Sequence, residues 1–185
     1  MTELASPRYL TAEELICLPE DGMRHELVGG WMVSEPPAGG EHATVAAQIV
    51  TRLNAFVRER KLGRVYTTDP GFLLSTNPDT VRAPDVAFLG NARVEMIGRP
   101  HGFLPGPPDL AIEILSPHDR PNDVEAKLGD YLAAGTTLVW VVDPIRRVVR
   151  VHRELLASRL MREDDRLDGE DVVPGFSIPV GELFD

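Results

Sequence analysis

The 185-residue sequence has one cysteine, Cys17, so it can form neither an internal disulfide nor a cysteine-built zinc centre. It contains no run of about 18 apolar residues, which excludes a membrane-spanning helix. The opening stretch, Met1-Thr-Glu-Leu-Ala-Ser-Pro7, lacks the basic and apolar regions of a signal peptide. A cytoplasmic protein with no membrane partner is therefore expected. Basic charge is also short, with 19 Lys and Arg against 29 Asp and Glu and a net charge of −10. That argues against a protein that coats bulk nucleic acid. It leaves a nucleic-acid enzyme open, because clustered acids can hold a metal and local patches outweigh totals. Lysine is scarcer still, since Lys61 and Lys127 are the only two among those 19 basic residues. His25, His101, His118 and His152 show no metal-ligand spacing, and Cys17 and Ser116 sit in no nucleophile motif.

What remains is ordinary for a soluble globular protein: 43% hydrophobic, 26% charged, mean hydropathy −0.12. The length suits a single domain over residues 1–185. Thr11-Ala-Glu-Glu14 has capping-box spacing and opens a short helix that Pro19 ends. Arg24 to Val28, Gly29-Gly30 and Trp31 to Ser34 read as a hairpin. Val45, Ile49, Leu53, Phe56 and Val57 give one apolar face to a long helix from about Glu41 to Lys61. Strands are expected at Val65–Thr68, Phe72–Ser75, Pro84–Leu89, Leu110–Leu115, Leu138–Val142, Val148–Arg153 and Ser158–Glu163, with a loop from Gly90 to Pro107. Asp123 is expected to cap a helix that runs to Ala134 and stops at Gly135. Pro174 to Pro179 leads into a short terminal helix. The order predicts an α/β fold with a mixed β-sheet flanked by helices.

One residue breaks the local pattern. Leu110 to Leu115 is an apolar run of the kind buried on both faces of a sheet, and Glu113 is its only charged member. A carboxylate there is costly unless it is protonated, paired or bound to metal. Asp85 follows Pro84 at the start of another apolar strand. If the two strands are neighbours, the carboxylates converge, and Mg²⁺ would relieve their repulsion. Asp109 is the rival to Asp85. It lies on the same extended segment as Glu113, about 13 Å away, too far for one ion to bridge, so Asp85 is preferred. Lys127 falls on the flank of the stripe Val124, Leu128, Tyr131 and Leu132. It either snorkels at the edge of the core or brings its ammonium to the Glu113 site. Taken alone, Glu26 reads as a solvated strand residue or a surface ion pair, and His42 as a cap or surface residue. Arg146, Arg147, Arg150 and Arg153 read as a solvated edge strand, with phosphate contact as the alternative.

These pieces, in this order, resemble the PD-(D/E)xK nuclease superfamily and, within it, the Uma-type family of bacterial restriction-endonuclease-like proteins. The matching segments are Arg24-His-Glu-Leu-Val-Gly-Gly30, His42, Ala83-Pro-Asp-Val86, Pro108-Asp-Leu-Ala-Ile-Glu-Ile-Leu-Ser-Pro117, Lys127 with Tyr131 and Gly135, and Trp140-Val-Val-Asp-Pro144. They span a core from about residue 11 to 153. The resemblance implies a restriction-endonuclease-like core and Mg²⁺-dependent hydrolysis of phosphodiesters, with Mn²⁺ as a substitute and DNA as the expected partner. Asp85, Glu113 and the Ile114 carbonyl would hold the metal, Glu26 would be an auxiliary acid, and Lys127 would supply the positive charge. The departure is at Leu115, which stands where the superfamily motif places its lysine. The alternative is a nucleic-acid-binding or regulatory protein that keeps the fold without turnover. A homodimer would suit the cutting of two strands, although no sequence feature marks an interface.

Overall fold

A computed structural model of the chain describes residues 9–117 and 119–185. The opening stretch through Pro7 and His118 lie outside the described residues. In chain order the elements are α1 (Ala12–Ile16), β1 (Arg24–Val28), β2 (Trp31–Glu35), α2 (Gly40–Arg60), β3 (Gly63–Thr67), β4 (Phe72–Ser75), β5 (Thr80–Arg82), β6 (Val86–Gly90) and α3 (Asn91–Ile97). There follow β7 (Leu104–Pro105), β8 (Leu110–Ile114), α4 (Pro121–Ala134), β9 (Leu138–Asp143), β10 (Val148–His152), β11 (Ser158–Met161), β12 (Arg166–Asp168), β13 (Ser177–Pro179) and a 3-10 turn at Gly181–Leu183.

The strands form a six-stranded sheet of order β11-β10-β9-β8-β6-β3 and a five-stranded sheet of order β2-β1-β5-β4-β7, with a small β12–β13 pair. The six-stranded sheet is mixed, because β8 and β9 run parallel while its other pairings are antiparallel. The parallel pair needs a crossover, and α4 supplies it. Alternation along β8 then sorts the core. Leu110, Ile112 and Ile114 join the cluster that Val45, Ile49, Leu53 and Val57 of α2 cover. Ala111 packs instead with Leu128 and Tyr131 of α4. Glu113 shares that second face, so its charge meets α4.

Local expectations hold at most elements. Thr11 and Glu14 close a capping box on α1. Gly29 and Gly30, at φ 57° and 82°, make the tight turn between β1 and β2. Two readings change. The stretch from Gly90 to Pro107 is not all loop: it holds α3 and β7, with Gly90 and Gly98 bracketing the helix rather than dissolving it. Val94 and Ile97 pack it onto Phe72, Ala87 and Leu89. Asp123 is not the cap of α4 either. Arg120 occupies that place, Pro121 starts the helix with its pre-set φ, and Asp123 lies in the first turn. Gly135, at φ 105°, does end it. Strands β5, β12 and β13 are additions to the sequence reading, being only three residues each.

The chain changes sheets between β5 and β6. Arg82 still belongs to the five-stranded sheet, Val86 already to the six-stranded one, and residues 81–89 are all buried. Pro84 sits at this corner, where its missing N–H cannot continue a ladder. Asp85 is therefore placed where the two sheets meet. A close backbone approach secures the far end of β6, where a Cβ on Gly63 would lie 2.0 Å from the Leu89 carbonyl oxygen. Backbone cannot yield as a flexible side chain can. Gly63→Ala is expected to lower stability by about 2–3 kcal/mol, seen as a lower urea midpoint with unchanged slope.

Candidate active site

The register of β6 and β8 pairs Val86 with Ile112, and its continuation sets Asp85 opposite Glu113. The Ile114 amide donates to Asp85 Oδ2 at 2.7 Å, tying the acid to the residue next to Glu113. His42, in the first turn of α2, brings Nε2 to 3.2 Å from the same oxygen. Arg24 of β1 reaches Asp85 Oδ1 at 3.2 Å and Asp69 at 2.9 Å. The Asp85 carboxylate is thus engaged by three partners, one each from β8, α2 and β1.

Glu113 is held by α4. The Tyr131 hydroxyl donates to its Oε1 at 2.7 Å, and Lys127 Nζ stands 3.7 Å from Oε2. Lys127 and Tyr131 are one helical turn apart and share a face. Lys127 is buried, not a snorkelling rim residue, and three carboxylates surround it. Glu35 of β2 is nearest, at 3.0 Å, with Glu26 and Glu113 each at 3.7 Å. Glu26 is no solvated strand residue either, being 1% exposed. Its Oε2 accepts from Arg82 at 2.7 Å and its Oε1 from the Ala83 amide at 2.9 Å. Arg82 in turn reaches Asp130 of α4 at 2.6 Å.

Burial and charge set the protonation states. Burial, with Asp85 and Glu26 adding repulsion and Lys127 opposing, pushes the Glu113 carboxyl from 4.5 up to about 7. Burial disfavours the Lys127 ammonium, but Glu113 and Glu26 outweigh it and hold its pKa above the usual lysine value. Arg24 follows the same pattern, restored by Glu35 and Asp85. His42 is raised, because the Asp85 carboxylate more than offsets burial. Burial works against the Glu35 carboxylate, yet Arg24 and Lys127 bring its pKa below normal. Tyr131 is held well above its ordinary value by burial and by Glu113, so it remains a donor.

The structure therefore brings Asp85, Glu113, Lys127 and Glu26 to one junction between the sheets and α4. Asp109 is elsewhere, accepting from the Gly90 amide at 2.8 Å and pairing with Arg93. Leu115 packs against the apolar cluster that includes Leu128 and Tyr131 rather than offering a charge. Among the four edge arginines, Arg146, Arg147 and Arg153 pair with nearby acids. Sequence reasoning missed Glu35, Arg82 and Asp130. One signal was available for the first: a two-residue turn at Gly29-Gly30 counts Glu35 directly opposite Arg24, a cross-strand pair of opposite charge.

Among the described residues, no three His, Cys, Asp or Glu side chains group as a metal cage. Mg²⁺ does not need one, since it retains several waters and takes one or two carboxylates. The donor chemistry fits that ion: Asp85 and Glu113 are hard oxygen ligands whose mutual repulsion a divalent cation would relieve. The Ile114 carbonyl is available on the same side, because the N–H and C=O of one strand residue point the same way and the N–H meets Asp85.

Sheet order, the α4 crossover and the site at the sheet junction define a restriction-endonuclease-like α/β fold. A crystal structure from Anabaena variabilis, described as "a putative nuclease belonging to DUF820", shares it with a TM-score of 0.80 over 95% of this chain and 97% of that one, at 23% identity. Residues 12–181 match the Uma2 family, described as "Putative restriction endonuclease", and the chain belongs to that family. No curated protein matches the sequence. Among the described residues, no helix is long and apolar enough to cross a membrane.

The Glu26–Arg82 pair, 1% and 4% exposed, underpins this junction. Arg82→Met would leave Glu26 buried without its main counter-charge, at a cost of about 3–5 kcal/mol. Adding Glu26→Gln should recover much of that loss, read as urea unfolding free energies in a double-mutant cycle.

Proposed function

We propose that this protein is a Mg²⁺-dependent endonuclease that hydrolyses phosphodiester bonds in DNA, acting in the cytoplasm as a homodimer with one site for each strand. The observation that carries the reading is the Asp85–Ile114–Glu113 arrangement, two buried carboxylates in register beside one buried lysine. Family membership and the shared fold support it. In this reading Asp85, Glu113 and the Ile114 carbonyl hold the ion, with Mn²⁺ as a substitute. The bound ion supplies a water of lowered pKa and polarises the phosphodiester.

The chain's own groups do the rest. Tyr131 fixes Glu113 Oε1 and so leaves Oε2 toward Lys127. Lys127 keeps its proton and sets a positive charge beside Glu113, where negative charge develops on phosphate oxygens. Glu26 is the auxiliary acid, and through Arg82 and the Ala83 amide it anchors the corner that presents Asp85. A second reading, a binding or regulatory protein without turnover, is favoured by one observation. Arg24, His42 and Lys127 already compensate Asp85 and Glu113 within the chain.

Calorimetric titration with Mn²⁺ and Mg²⁺ decides between them. The intact protein should bind. Asp85→Ala and Glu113→Ala should each lose more than about a hundredfold in affinity, beyond what outer-shell changes cost, and should no longer nick supercoiled DNA. Absence of metal binding by the intact protein, with DNA present as well as absent, would sink the nuclease reading. Metal binding without cleavage of DNA would favour the second.

A further inference from the structure

Three carboxylates surround Lys127, and they differ in one respect. Glu26 and Glu113 have side chains 1% and 9% exposed, whereas that of Glu35 is 29% exposed. Glu35 ties Lys127 to Arg24, whereas Glu26 ties it to the buried Arg82. Glu35 Oε2 accepts from Arg24 Nη2 and from Lys127 Nζ at 3.3 Å, and its Oε1 lies 3.0 Å from Lys127. Two cations from separate elements, β1 and α4, thus converge on one carboxylate at the solvent side of the site.

The backbone that carries Glu35 is weakly tied. Among the described residues, β2 is an edge strand that pairs with β1 alone. Glu35 is its last residue, and the following Pro36-Pro37-Ala38-Gly39 is exposed and irregular. Both cations have other anchors. Arg24 retains Asp69 and Asp85, and Lys127 retains Glu26 and Glu113. Withdrawal of Glu35 would therefore leave both held in position with one anion missing between them. A carboxylate and a phosphodiester each offer two terminal oxygens and one negative charge, and arginine and lysine bind both. Exchanging one for the other conserves the local charge.

We propose that Arg24 and Lys127 form a phosphate-binding pair and that Glu35 is its resident anion, displaced when a substrate phosphate group arrives. This rests on the nuclease reading of the same site and adds to it a self-blocking contact on the β1–β2 hairpin. Glu35 then holds the pair closed to weak anions and opens it to a nucleic acid backbone whose neighbouring contacts favour the exchange.

Metal-free protein in chelator, titrated with inorganic phosphate and followed by thermal shift, tests the exchange directly. Glu35→Gln removes the charge and keeps the shape, and should lower the half-saturating phosphate concentration at least about tenfold. Adding Arg24→Gln should cancel that gain. Glu35→Asp, with the same charge on a shorter reach, should fall between the intact chain and Glu35→Gln. A cooperatively melting Glu35→Gln that binds phosphate no better than the intact chain overturns the proposal. If that variant does not fold, Glu35→Asp decides by the same criterion. The metal titration of Asp85 and Glu113 variants judges the nuclease reading separately, since this experiment contains no metal.

Discussion

A carboxylate buried in a two-sided sheet is the constraint to which the rest of the site responds. Glu113 has sheet on both sides and α4 above it, so water cannot stabilise its charge. The groups that hold it and those that repel it come from different parts of the fold. Tyr131 and Lys127 arrive on α4 and hold it, Asp85 on the corner into β6 and Glu26 on the hairpin repel it, and Glu35 on the hairpin partners Lys127. Because Lys127 is itself buried, it needs acids of its own, and those acids need Arg24 and Arg82. The network closes only where the two sheets and the helix meet. Local folding of any single element would leave a buried charge unanswered, and this couples the hairpin to the distant crossover helix.

The legible part of the fold was the part governed by period and punctuation. The apolar stripe of α2 and the runs at β8 and β9 bury enough surface to fix their own identity, and Gly29-Gly30 and Gly135 end elements by backbone preference alone. The loop reading of Gly90–Pro107 failed because glycines and prolines can flank a short helix as readily as replace it. Strand β5 was hidden because three residues carry no period. Asp85 and Glu113 stood out because a charge in an apolar strand violates its surroundings. Glu26, in the mixed setting of Arg24-His-Glu-Leu, violated nothing. Its burial comes from Arg82 and Ala83, 56 and 57 residues away, and no local pattern encodes such a contact. His42, taken alone, read as a cap or surface residue for the same reason: its partner, Asp85, lies on another layer.

The position of the lysine follows from the same geometry. Glu113 and Leu115 are two residues apart on one strand, so a lysine at 115 would rise on the face that already carries the acid. That face is the one α4 covers. A lysine projecting down from the helix reaches the same volume as one projecting up from the strand, and Leu115 is released to pack against the apolar cluster under α4. The two solutions differ in what they depend on. A strand lysine is placed by the sheet alone, whereas Lys127 is placed by how α4 docks, and that docking depends on Leu128 and Tyr131 beside it and on the turn at Gly135 that returns the chain to β9. The charge at this site is therefore a property of helix packing. Its hold on Glu35 makes it answer to the hairpin as well, so one ammonium senses three layers of the fold at once.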